Sequence, residues 1–474
     1  MNQAELISRI CLLGVTLALS SRTGAVEGWA QYSANPFVIK LEIPKEHDGT
    51  GGIITADVNG DSLLDYLVTK PGHIAVYEHN GRKLWVEKIG IRVTGKSEDN
   101  GLPGWDGPGV QAADVDGDGE VEVVFLTTDG FLHYREGKTG ISKKVVKPSV
   151  ITGIERWEHV IVANLRGLGD RDLILQACPL SGPDSKIGRK RGRLMAAFPA
   201  EAPDGVPLWH TERYWGPAHG TARVADLDGD GCDEVAGATI IDHNGKFVKS
   251  WNYTEKTGLK RDGSFHFDGL YIYDVRPDLP GLEVVLLEEK TNFISLVNMD
   301  SLIWRTHYKV QEPQNSAVGE FDPERPGLEI WCRSRYNEHQ RPFVFDSRGE
   351  LISHYEMDSV APQGWTVRGV EVIWVIDWTG GKKQLAAAKE RHKAGDVAIF
   401  DPLSGEFIQY FKERADKLYV ADVSGDWREE IIVLSGNEIH IYHNKAANPN
   451  PGNERLWSRN NYRRSKMTWN YYSP

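Results

Sequence analysis

Four short acidic loops in this chain have the residue types and the spacing that bind a hard cation. Each places oxygen-bearing side chains at positions 1, 3, 5 and 9 of a nine-residue turn, with glycine at position 4. Carboxylate, amide and hydroxyl oxygens suit Ca²⁺, and glycine permits the tight bend. These side chains are Asp57, Asn59, Asp61 and Asp65; Asp114, Asp116, Asp118 and Glu122; Asp226, Asp228, Asp230 and Glu234; and Asp422, Ser424, Asp426 and Glu430. The sequence therefore predicts bound Ca²⁺, with stiffening of the turns as its simplest role.

Looser copies of the same unit lie between the four clear ones. They begin at Asn164, Asp274, Asp322 and Asp377. Two of these copies add further candidate metal ligands, which are Asp274, Asp278, Glu283, Asp322 and Glu329. Together the eight units begin 45 to 62 residues apart. Self-similarity at this period is the signature of a repeat protein.

Each unit has the length and the turn signals of about four short strands. A Gly-containing turn precedes an aromatic strand in most units, as in Asn80-Gly81 before Trp85 and Asp204-Gly205 before Trp209. Such pairs between apolar runs indicate hairpins, and a four-stranded unit is one propeller blade. We therefore predict an all-β, eight-bladed β-propeller with Asp-rich calcium-binding loops, with seven blades as the alternative. The strand at residues 37–43 is expected to complete the last blade, which removes an open sheet edge.

Polar and aromatic residues cluster just upstream of the leading acids. In a propeller these positions line the axial mouth, where ligands usually bind. Aromatic rings stack on sugars, and Arg or Lys side chains hold carboxylates. The alternative is that several are ordinary polar groups on exposed loops. The candidates are Trp105, His159, His219, His266, Asp268, Asn315, Arg368 and Lys417.

The composition and the N-terminus restrict the partners and the compartment. A formal charge of −12 argues against nucleic acid, whose phosphates require a basic face. Residues 1–25 carry a basic residue, an apolar stretch and then small residues, which is typical of a secretory signal peptide. We expect residues 26–474 to form one propeller domain, secreted to the periplasm or the medium, monomeric and not inserted in a membrane. Three cysteines remain after cleavage, too few for a disulfide framework.

Several segments resemble one known family in order along the chain. They are the acidic loop at residues 225–235, the His266-Phe267-Asp268 triplet, the segment at 322–331, and Gly425-Asp-Trp-Arg-Glu-Glu430, the most specific. These segments resemble the rhamnogalacturonan lyases of polysaccharide lyase family eleven. The resemblance implies an eight-bladed, calcium-rich propeller that cleaves an acidic pectic polysaccharide by β-elimination after secretion.

The resemblance also implies roles for individual residues. His219, His266 and Asp268 match the family's His and His-Gly-Asp positions, with Phe267 in place of Gly. Asn315 lies where the family has an Arg. The family's Lys corresponds to Lys412, Arg414 or Lys417, and its C-terminal Tyr to Tyr471 or Tyr472. The implied catalytic residues are Lys417, Arg414, His219, His266, Tyr471 and Tyr472.

Two functions of different classes follow. The first is a polysaccharide lyase, in which Arg368 or Ca²⁺ holds the substrate carboxylate, Lys417 or Arg414 is the base, and a terminal Tyr is the acid. The second is a non-catalytic, calcium-dependent propeller of the FG-GAP type that binds a glycan or a protein, as integrin α-chains do. Asn315 at the family's Arg position favours the second. Convergence of His219, His266 and Lys417 on one pocket would favour the first.

Overall fold

A computed structural model describes ten stretches of the chain. They are residues 32–47, 50–93, 107–179, 194–217, 221–251, 267–288, 291–306, 312–334, 339–391 and 394–468. Eight four-stranded antiparallel sheets are arranged in sequence order as an eight-bladed β-propeller. The prediction of eight blades is confirmed. The expected signal peptide at residues 1–25 lies outside the described residues.

The strands of blades 1 to 4 follow one another along the chain. Blade 1 contains β2 (Gly52–Ala56), β3 (Asp65–Lys70), β4 (His73–Tyr77) and β5 (Lys83–Lys88). Blade 2 contains β6 (Val110–Ala113), β7 (Glu122–Leu126), β8 (Leu132–Glu136) and β9 (Ser142–Val146). Blade 3 contains β10 (Ile154–Ala163), β11 (Asp172–Pro179), β12 (Met195–Pro199) and β13 (Trp209–Thr211). Blade 4 contains β14 (Arg223–Ala225), β15 (Glu234–Ala236), β16 (Thr239–Ile241) and β17 (Phe247–Ser250).

Blades 5 to 8 repeat this order. Blade 5 contains β18 (Phe267–Tyr273), β19 (Glu283–Glu288), β20 (Phe293–Val297) and β21 (Leu302–Thr306). Blade 6 contains β22 (Ser316–Gly319), β23 (Glu329–Arg333), β24 (Pro342–Phe345) and β25 (Leu351–His354). Blade 7 contains β26 (Val370–Ile376), β27 (Leu385–Glu390), β28 (Gly395–Phe400) and β29 (Phe407–Ala415). Blade 8 contains β30 (Lys417–Ala421), β31 (Glu430–Ser435), β32 (Glu438–Tyr442) and, from the start of the chain, β1 (Phe37–Lys40).

The ring is closed by the N-terminal strand, as the sequence predicted. β1 pairs antiparallel with β32, and Ile39 lies opposite Ile439. The last blade is therefore built from both ends of the described chain. Closure pairs the edge strand of blade 8, which would otherwise be open to another chain.

The core is divided among the interfaces between blades. The described residues form eight apolar clusters, one between each pair of neighbouring blades. Side chains alternate between the two faces of a strand, so each sheet buries both faces against its neighbours. The second strand of each blade is therefore almost entirely buried, as in β3 and β19.

The two ends of the propeller differ in chemistry. The first strand of each blade is innermost, because neighbouring first strands contact one another around the channel. Each of these strands runs towards its acidic loop, so all eight loops lie at one end, which we call the acidic-loop face. The starts of the same strands lie at the opposite end, which we call the mouth.

Helices occur at two places in the described chain. Helix α1 (Met357–Val360) lies between blades 6 and 7. A 3₁₀ helix at Leu456–Ser458 leads into α2 (Asn460–Met467). Helix α2 contacts β2, β6, β14 and β18, the inner strands of four blades. Helical periodicity is weak in this segment, because Lys466 and Arg464 are buried on a helix whose sequence is mostly polar.

The Gly-containing turns seen in the sequence lie at the contacts between blades. Trp209 of blade 3 packs on the turn glycine Gly245 of blade 4, and its indole N–H donates to His243 O at 2.7 Å. Trp85 makes the same contact with Gly140, and its indole donates to Gly137 O at 2.7 Å. The turn signal and the aromatic strand therefore mark one contact that joins consecutive blades.

None of the helices in the described residues is long and apolar enough to span a bilayer.

Candidate functional site

The channel is filled from the acidic-loop face by α2. Arg464 forms ion pairs with Asp170 and Asp233, which lie beside the loops of blades 3 and 4. Deeper in the channel, Arg223 donates to Ser465 O at 3.1 Å and Gln111 donates to Met467 O at 2.9 Å. Carbonyls at a helix C-terminus carry partial negative charge, so Arg223 satisfies them electrostatically as well. Helix α2 therefore occupies the channel from the acidic-loop face.

At the mouth, two arginines lie near one carboxylate. Arg333 ends β23, Glu371 lies on β26, and Arg391 follows β27. The Glu371 carboxylate is 3.6 Å from an Arg333 nitrogen and 4.0 Å from an Arg391 nitrogen. All three side chains are buried in this structure. Two guanidinium groups therefore lie beside one carboxylate at this position between blades 6 and 7.

The predicted residues Asn315 and Asp268 belong to this cluster. The Tyr271 hydroxyl donates to Asn315 Oδ1 at 2.5 Å, and Asn315 Nδ2 donates to Glu371 O at 2.6 Å. Asp268 is fully buried on β18. Burial raises the pKa of the nearby Cys332 thiol, and the Asp268 carboxylate adds to this rise. The mouth cluster, defined as Asp268, Asn315, Arg333, Glu371 and Arg391, thus spans blades 5 to 7.

The remaining mouth candidates lie at different radii and on different blades. Lys417 is the first residue of the inner strand β30 and is buried. His159 is buried on β10 of blade 3, on the other side of the ring. Arg368 is exposed in the connection before β26, and Arg414 is exposed on β29, the outermost strand of blade 7. The structure therefore separates the two alternative bases, with Lys417 at the channel and Arg414 at the rim.

Five of the predicted site residues lie outside the described residues. They are Trp105, His219, His266, Tyr471 and Tyr472. Their roles stay predictions.

The acidic loops of blades 1, 2 and 4 share one backbone geometry. The first Asp accepts two or three backbone N–H groups; in blade 4, Asp226 accepts those of Gly229 at 2.7 Å and Gly231 at 3.0 Å. The acid at position 9 accepts the N–H of position 2, as Glu234 does from Leu227 at 2.9 Å. The glycine N–H groups hold the loop in shape while further carboxylate oxygens remain available for a cation.

Two of these loops, those of blades 2 and 4, bring together a donor set that fits Ca²⁺. Ligand atoms of Asp114, Asp116 and Glu122 lie within 4.8 Å of one another, and so do those of Asp226, Asp228 and Asp230. Burial raises the pKa of Glu234 to about 8, and Asp228 and Asp230 add to the rise. Asp65 of blade 1 has a pKa of about 8 for the same reason, with Asp61 and Asp57 adding to it. Clustered carboxylates of this kind are stabilised by a hard cation.

In blade 2 a lysine from the outer strand also reaches the loop. Lys143 Nζ lies 2.7 Å from both Asp116 and Asp118 and 2.8 Å from Glu122. The ammonium group therefore occupies the space between positions 3, 5 and 9. Its flexible stem allows it to move aside for an ion.

In blades 5 and 6 the loops are one residue longer. Val275 and Phe321 donate their N–H groups to Glu283 and Glu329, each at 2.9 Å. Glu320, rather than Asp322, therefore takes the first position in blade 6. Asp278 pairs with Arg276 at 2.7 Å and is exposed. Among the predicted ligands of blade 5, Asp274 and Glu283 are thus the better placed pair.

Blade 8 keeps the spacing of its acids but buries them. The side chain of Asp426 is 3% exposed, whereas that of Asp118 in blade 2 is 48% exposed. Asp422 pairs with Arg455 at 2.5 Å, and Asp426 pairs with Arg428. Glu430 accepts the Ser424 hydroxyl at 2.9 Å.

The fold and these loops define the class of the protein, and sequence comparison defines its family. Residues 43–125 match the FG-GAP-like repeat, so the chain is an FG-GAP-type propeller. Residues 208–471, more than half of the chain, match the C-terminal domain of rhamnogalacturonan lyase family 11. The chain belongs to this family.

Two curated relatives come from Bacillus subtilis (strain 168). Rhamnogalacturonan endolyase YesW is 25% identical over 467 residues, covering 88% of this chain and 65% of the relative. Rhamnogalacturonan exolyase YesX is 29% identical over 230 residues, covering 47% of this chain and 35% of the relative. The chain thus spans about two thirds of one relative and about a third of the other.

Solved structures of the same two proteins have the same fold. The crystal structure of YesW matches with a TM-score of 0.58 at 20% identity, over 88% of this chain and 75% of that one. That of YesX matches with a TM-score of 0.59 at 19% identity, over 84% and 72%.

Sequence reasoning missed Arg333, Glu371 and Arg391. The predicted mouth residues lie upstream of the inner strands, whereas Arg333 and Arg391 lie at the ends of second strands. In an antiparallel pair the end of the second strand lies beside the start of the first, so both reach the mouth. The available signal was a charged residue ending an otherwise apolar second strand, as in Trp331-Cys332-Arg333.

Proposed function

We propose that this chain is a secreted polysaccharide lyase that cleaves an acidic pectic polysaccharide of the rhamnogalacturonan type by β-elimination and carries Ca²⁺ in its acidic loops. Family membership and the relatives named as rhamnogalacturonan lyases support the reaction class. The single observation that carries the proposal is the mouth cluster, in which Arg333 and Arg391 face one Glu371. Guanidinium groups suit the carboxylate of a uronic acid, because they bind it through two parallel hydrogen bonds.

Elimination from a 4-linked uronate requires three groups: a cation that binds the carboxylate, a base that removes the C5 proton, and an acid that protonates the leaving oxygen. The C5–H and C4–O bonds break, a C4=C5 double bond forms, and the leaving oxygen takes a proton. Arg333 and Arg391 would stabilise the negative charge that develops on the carboxylate when C5 loses its proton. Lys417, as a neutral amine, would accept that proton.

The proton for the leaving oxygen comes from a residue outside the described part of the chain in this proposal. Tyr471 and Tyr472 are the acids implied by the family resemblance, and His219 and His266 are the alternatives. The acid must lie within hydrogen-bond distance of the same sugar that contacts the base, and this requirement selects among the candidates.

Calcium has a structural role in this proposal. The loops of blades 1, 2 and 4 lie on the acidic-loop face, and the mouth cluster lies at the opposite end of the inner strands. An ion bound by Asp226, Asp228 and Glu234 would neutralise the carboxylates and stiffen the turn. It would supply this charge without touching the substrate.

Secretion remains part of the proposal because of the N-terminal sequence. Residues 1–25 have the order of basic, apolar and small residues that a signal peptide requires. A secreted location matches the expected partner, since an acidic polysaccharide is an extracellular polymer.

The test is product formation on a panel of uronate glycans. Purified protein is incubated with rhamnogalacturonan, other pectic polymers and ulvan-like polymers, and ultraviolet absorbance of the unsaturated sugar is followed. Absorbance that rises with time on rhamnogalacturonan supports the proposal. The matched variant Lys417→Ala should form product at about one hundredth of the wild-type rate, as expected for loss of an acid–base group.

One observation favours a binding function instead. Asn315 stands at the family's Arg position, and its side chain is committed to Tyr271 and Glu371. Binding of an acidic glycan on an array, with no absorbance change across the panel, would establish the non-catalytic alternative.

A further inference from the structure

The acidic loop of blade 8 differs from the calcium-type loops in how its charge is balanced. In the described residues, every acid of this loop already has a partner from the chain. Asp422 accepts Arg455 Nε at 2.5 Å, Asp426 accepts Arg428 Nε at 3.0 Å, and Glu430 accepts the Ser424 hydroxyl at 2.9 Å. We propose that arginines of this chain, and not Ca²⁺, neutralise Asp422 and Asp426 in the loop of blade 8. The inference rests on the proposal that the acidic loops of blades 1, 2 and 4 bind Ca²⁺.

Blade 3 contains a simpler example of the same arrangement. Position 3 of its loop is Arg166, where blades 1, 2 and 4 have Asn59, Asp116 and Asp228. Arg166 Nε donates to Oδ1 of Asp172, the acid at position 9, at 2.6 Å. Asp172 Oδ2 accepts the Leu165 N–H at 2.9 Å, as the ninth acid does in the calcium-type loops. A guanidinium group thus takes the position of the cation while the backbone of the loop is kept.

In blade 8, the arginines that pair with the loop acids come from two segments. Arg428 lies within the loop, and Arg455 comes from the chain after the last strand. Arg455 also donates to Asp422 O and to Ser62 O of blade 1, each at 3.0 Å. The same side chain therefore balances an acid and joins blade 8 to blade 1 at the point where the ring closes.

Electrostatics exclude an ion of double charge beside these groups. Ca²⁺ needs six to eight oxygen ligands, and at Asp422 and Asp426 it would lie within a few ångströms of two guanidinium groups. The side chains of Asp426 and Arg428 are 3% and 2% exposed, so solvent screens this repulsion little. Sequence spacing alone overstates the number of calcium loops in this chain, since it reads the acids and not their partners.

The test is calcium content after dialysis in a Ca²⁺ buffer, measured by elemental analysis, with melting temperature as a second readout. Asp226→Asn in blade 4 and Asp422→Asn in blade 8 replace the carboxylate at position 1 of their loops and serve as matched variants. Asp226→Asn should lose about one equivalent of Ca²⁺ per chain. Asp422→Asn should lose none, and its melting temperature should fall by the same amount in Ca²⁺ and in chelator. Loss of one equivalent in Asp422→Asn would overturn the inference.

A second variant decides the question if Asp422→Asn does not fold. Arg455→Gln removes the cation and keeps the acids, so the melting temperature should fall by a few degrees and added Ca²⁺ should now restore part of it. A wild-type melting temperature in Arg455→Gln overturns the inference. Wild-type protein without any bound Ca²⁺ contradicts the calcium part of the proposed function instead, and the Arg455→Gln comparison in chelator still decides whether arginine balances the loop.

Discussion

At the scale of single residues, the mouth cluster is the part of the molecule whose chemistry is most specific. Arg391 donates to Gln314 at 3.2 Å and lies 4.0 Å from Glu371. Removing one guanidinium from this group takes away one of the two positive charges that a uronate carboxylate could use. The cluster therefore makes predictions that family membership alone does not.

Arg391→Gln should reduce turnover by about a hundredfold, because truncating a charged, buried hydrogen-bonding partner costs about 3 kcal/mol in binding and catalysis. Steady-state rates on rhamnogalacturonan measure the effect. Arg341→Gln is the matched control, since Arg341 is an exposed arginine of blade 6 that pairs with Glu356 at 2.6 Å. Equal rates for the two variants would exclude the mouth cluster from catalysis.

At the scale of elements, contacts between blades explain why this sequence forms a ring. Trp209 and Trp85 pack on turn glycines of the next blade, and each donates its indole N–H to a carbonyl there. These contacts repeat the same geometry at the outer part of the propeller. They fix the angle between neighbouring sheets.

Gly245→Ala should lower the melting temperature more than Gly72→Ala. Both glycines have positive φ angles, 83° and 75°, so either substitution costs about 1 kcal/mol in backbone strain. A Cβ at Gly245 would lie 2.4 Å from Trp209 Cγ, whereas nothing lies within 4 Å at Gly72. Overpacking adds about 1–3 kcal/mol at Gly245. Equal shifts in calorimetry would show that the tryptophan contact contributes nothing.

The outermost strand of blade 7 and the third strand of blade 8 are joined by a pair that titrates. His440 lies 2.7 Å from Glu413, and this hydrogen bond raises the pKa of His440. Burial alone would raise the pKa of Glu413, but the hydrogen bonds from His440 and Tyr442 lower it overall. Because the pKa of His440 is raised in the fold, its protonation stabilises the fold below the unfolded pKa of about 6.5, and this stabilisation is lost as the pH rises. Because the pKa of Glu413 is lowered in the fold, its ionised form stabilises the fold above the unfolded pKa of about 4.3, and this stabilisation is lost as the pH falls.

His440→Gln should therefore lower the melting temperature more at about pH 5.5 than at about pH 8. The same shift at both pH values would contradict the assignment of the pair.

The elements themselves follow largely from the sequence, and the site does so only in part. The acidic loops and turn signals predict eight blades because each unit repeats its own strand boundaries, as at Asp226 and Gly245. Arg333 and Arg391 carry no repeated signal, since their positions matter only after β23 and β27 are placed beside β22 and β26. The same holds for Arg455, whose partner Asp422 lies 33 residues earlier and is brought close by the path of the terminal segment.

At the scale of the whole molecule, α2 and the segment before it hold the ring from the inside. Lys466 is fully buried, donates to Val420 O at 3.1 Å and lies 3.4 Å from Glu429. Its ammonium is 4.7 Å from the centre of the Trp374 ring. Tyr462 and Trp457 also donate to Glu429, at 2.5 and 3.3 Å.

Lys466→Met should destabilise the protein by about 3–5 kcal/mol, because Glu429 would remain buried without its cation. The double variant Lys466→Met/Glu429→Gln removes both charges and should recover part of the loss. Thermal unfolding of the three proteins measures this. A double variant less stable than the single one would show that the ion pair itself stabilises α2 in the channel, and that an uncompensated charge is not the cause of the loss.

The most direct test of the lyase assignment is the mass of the oligosaccharides released from rhamnogalacturonan. Elimination forms a C4=C5 double bond and adds no water, so each cut should give one fragment lighter by one water molecule than the corresponding product of hydrolysis. The proposed mechanism predicts such unsaturated fragments for the wild type and about a hundredfold less of them for Lys417→Ala. Saturated fragments, or no fragments from a preparation that binds the polysaccharide, would contradict it.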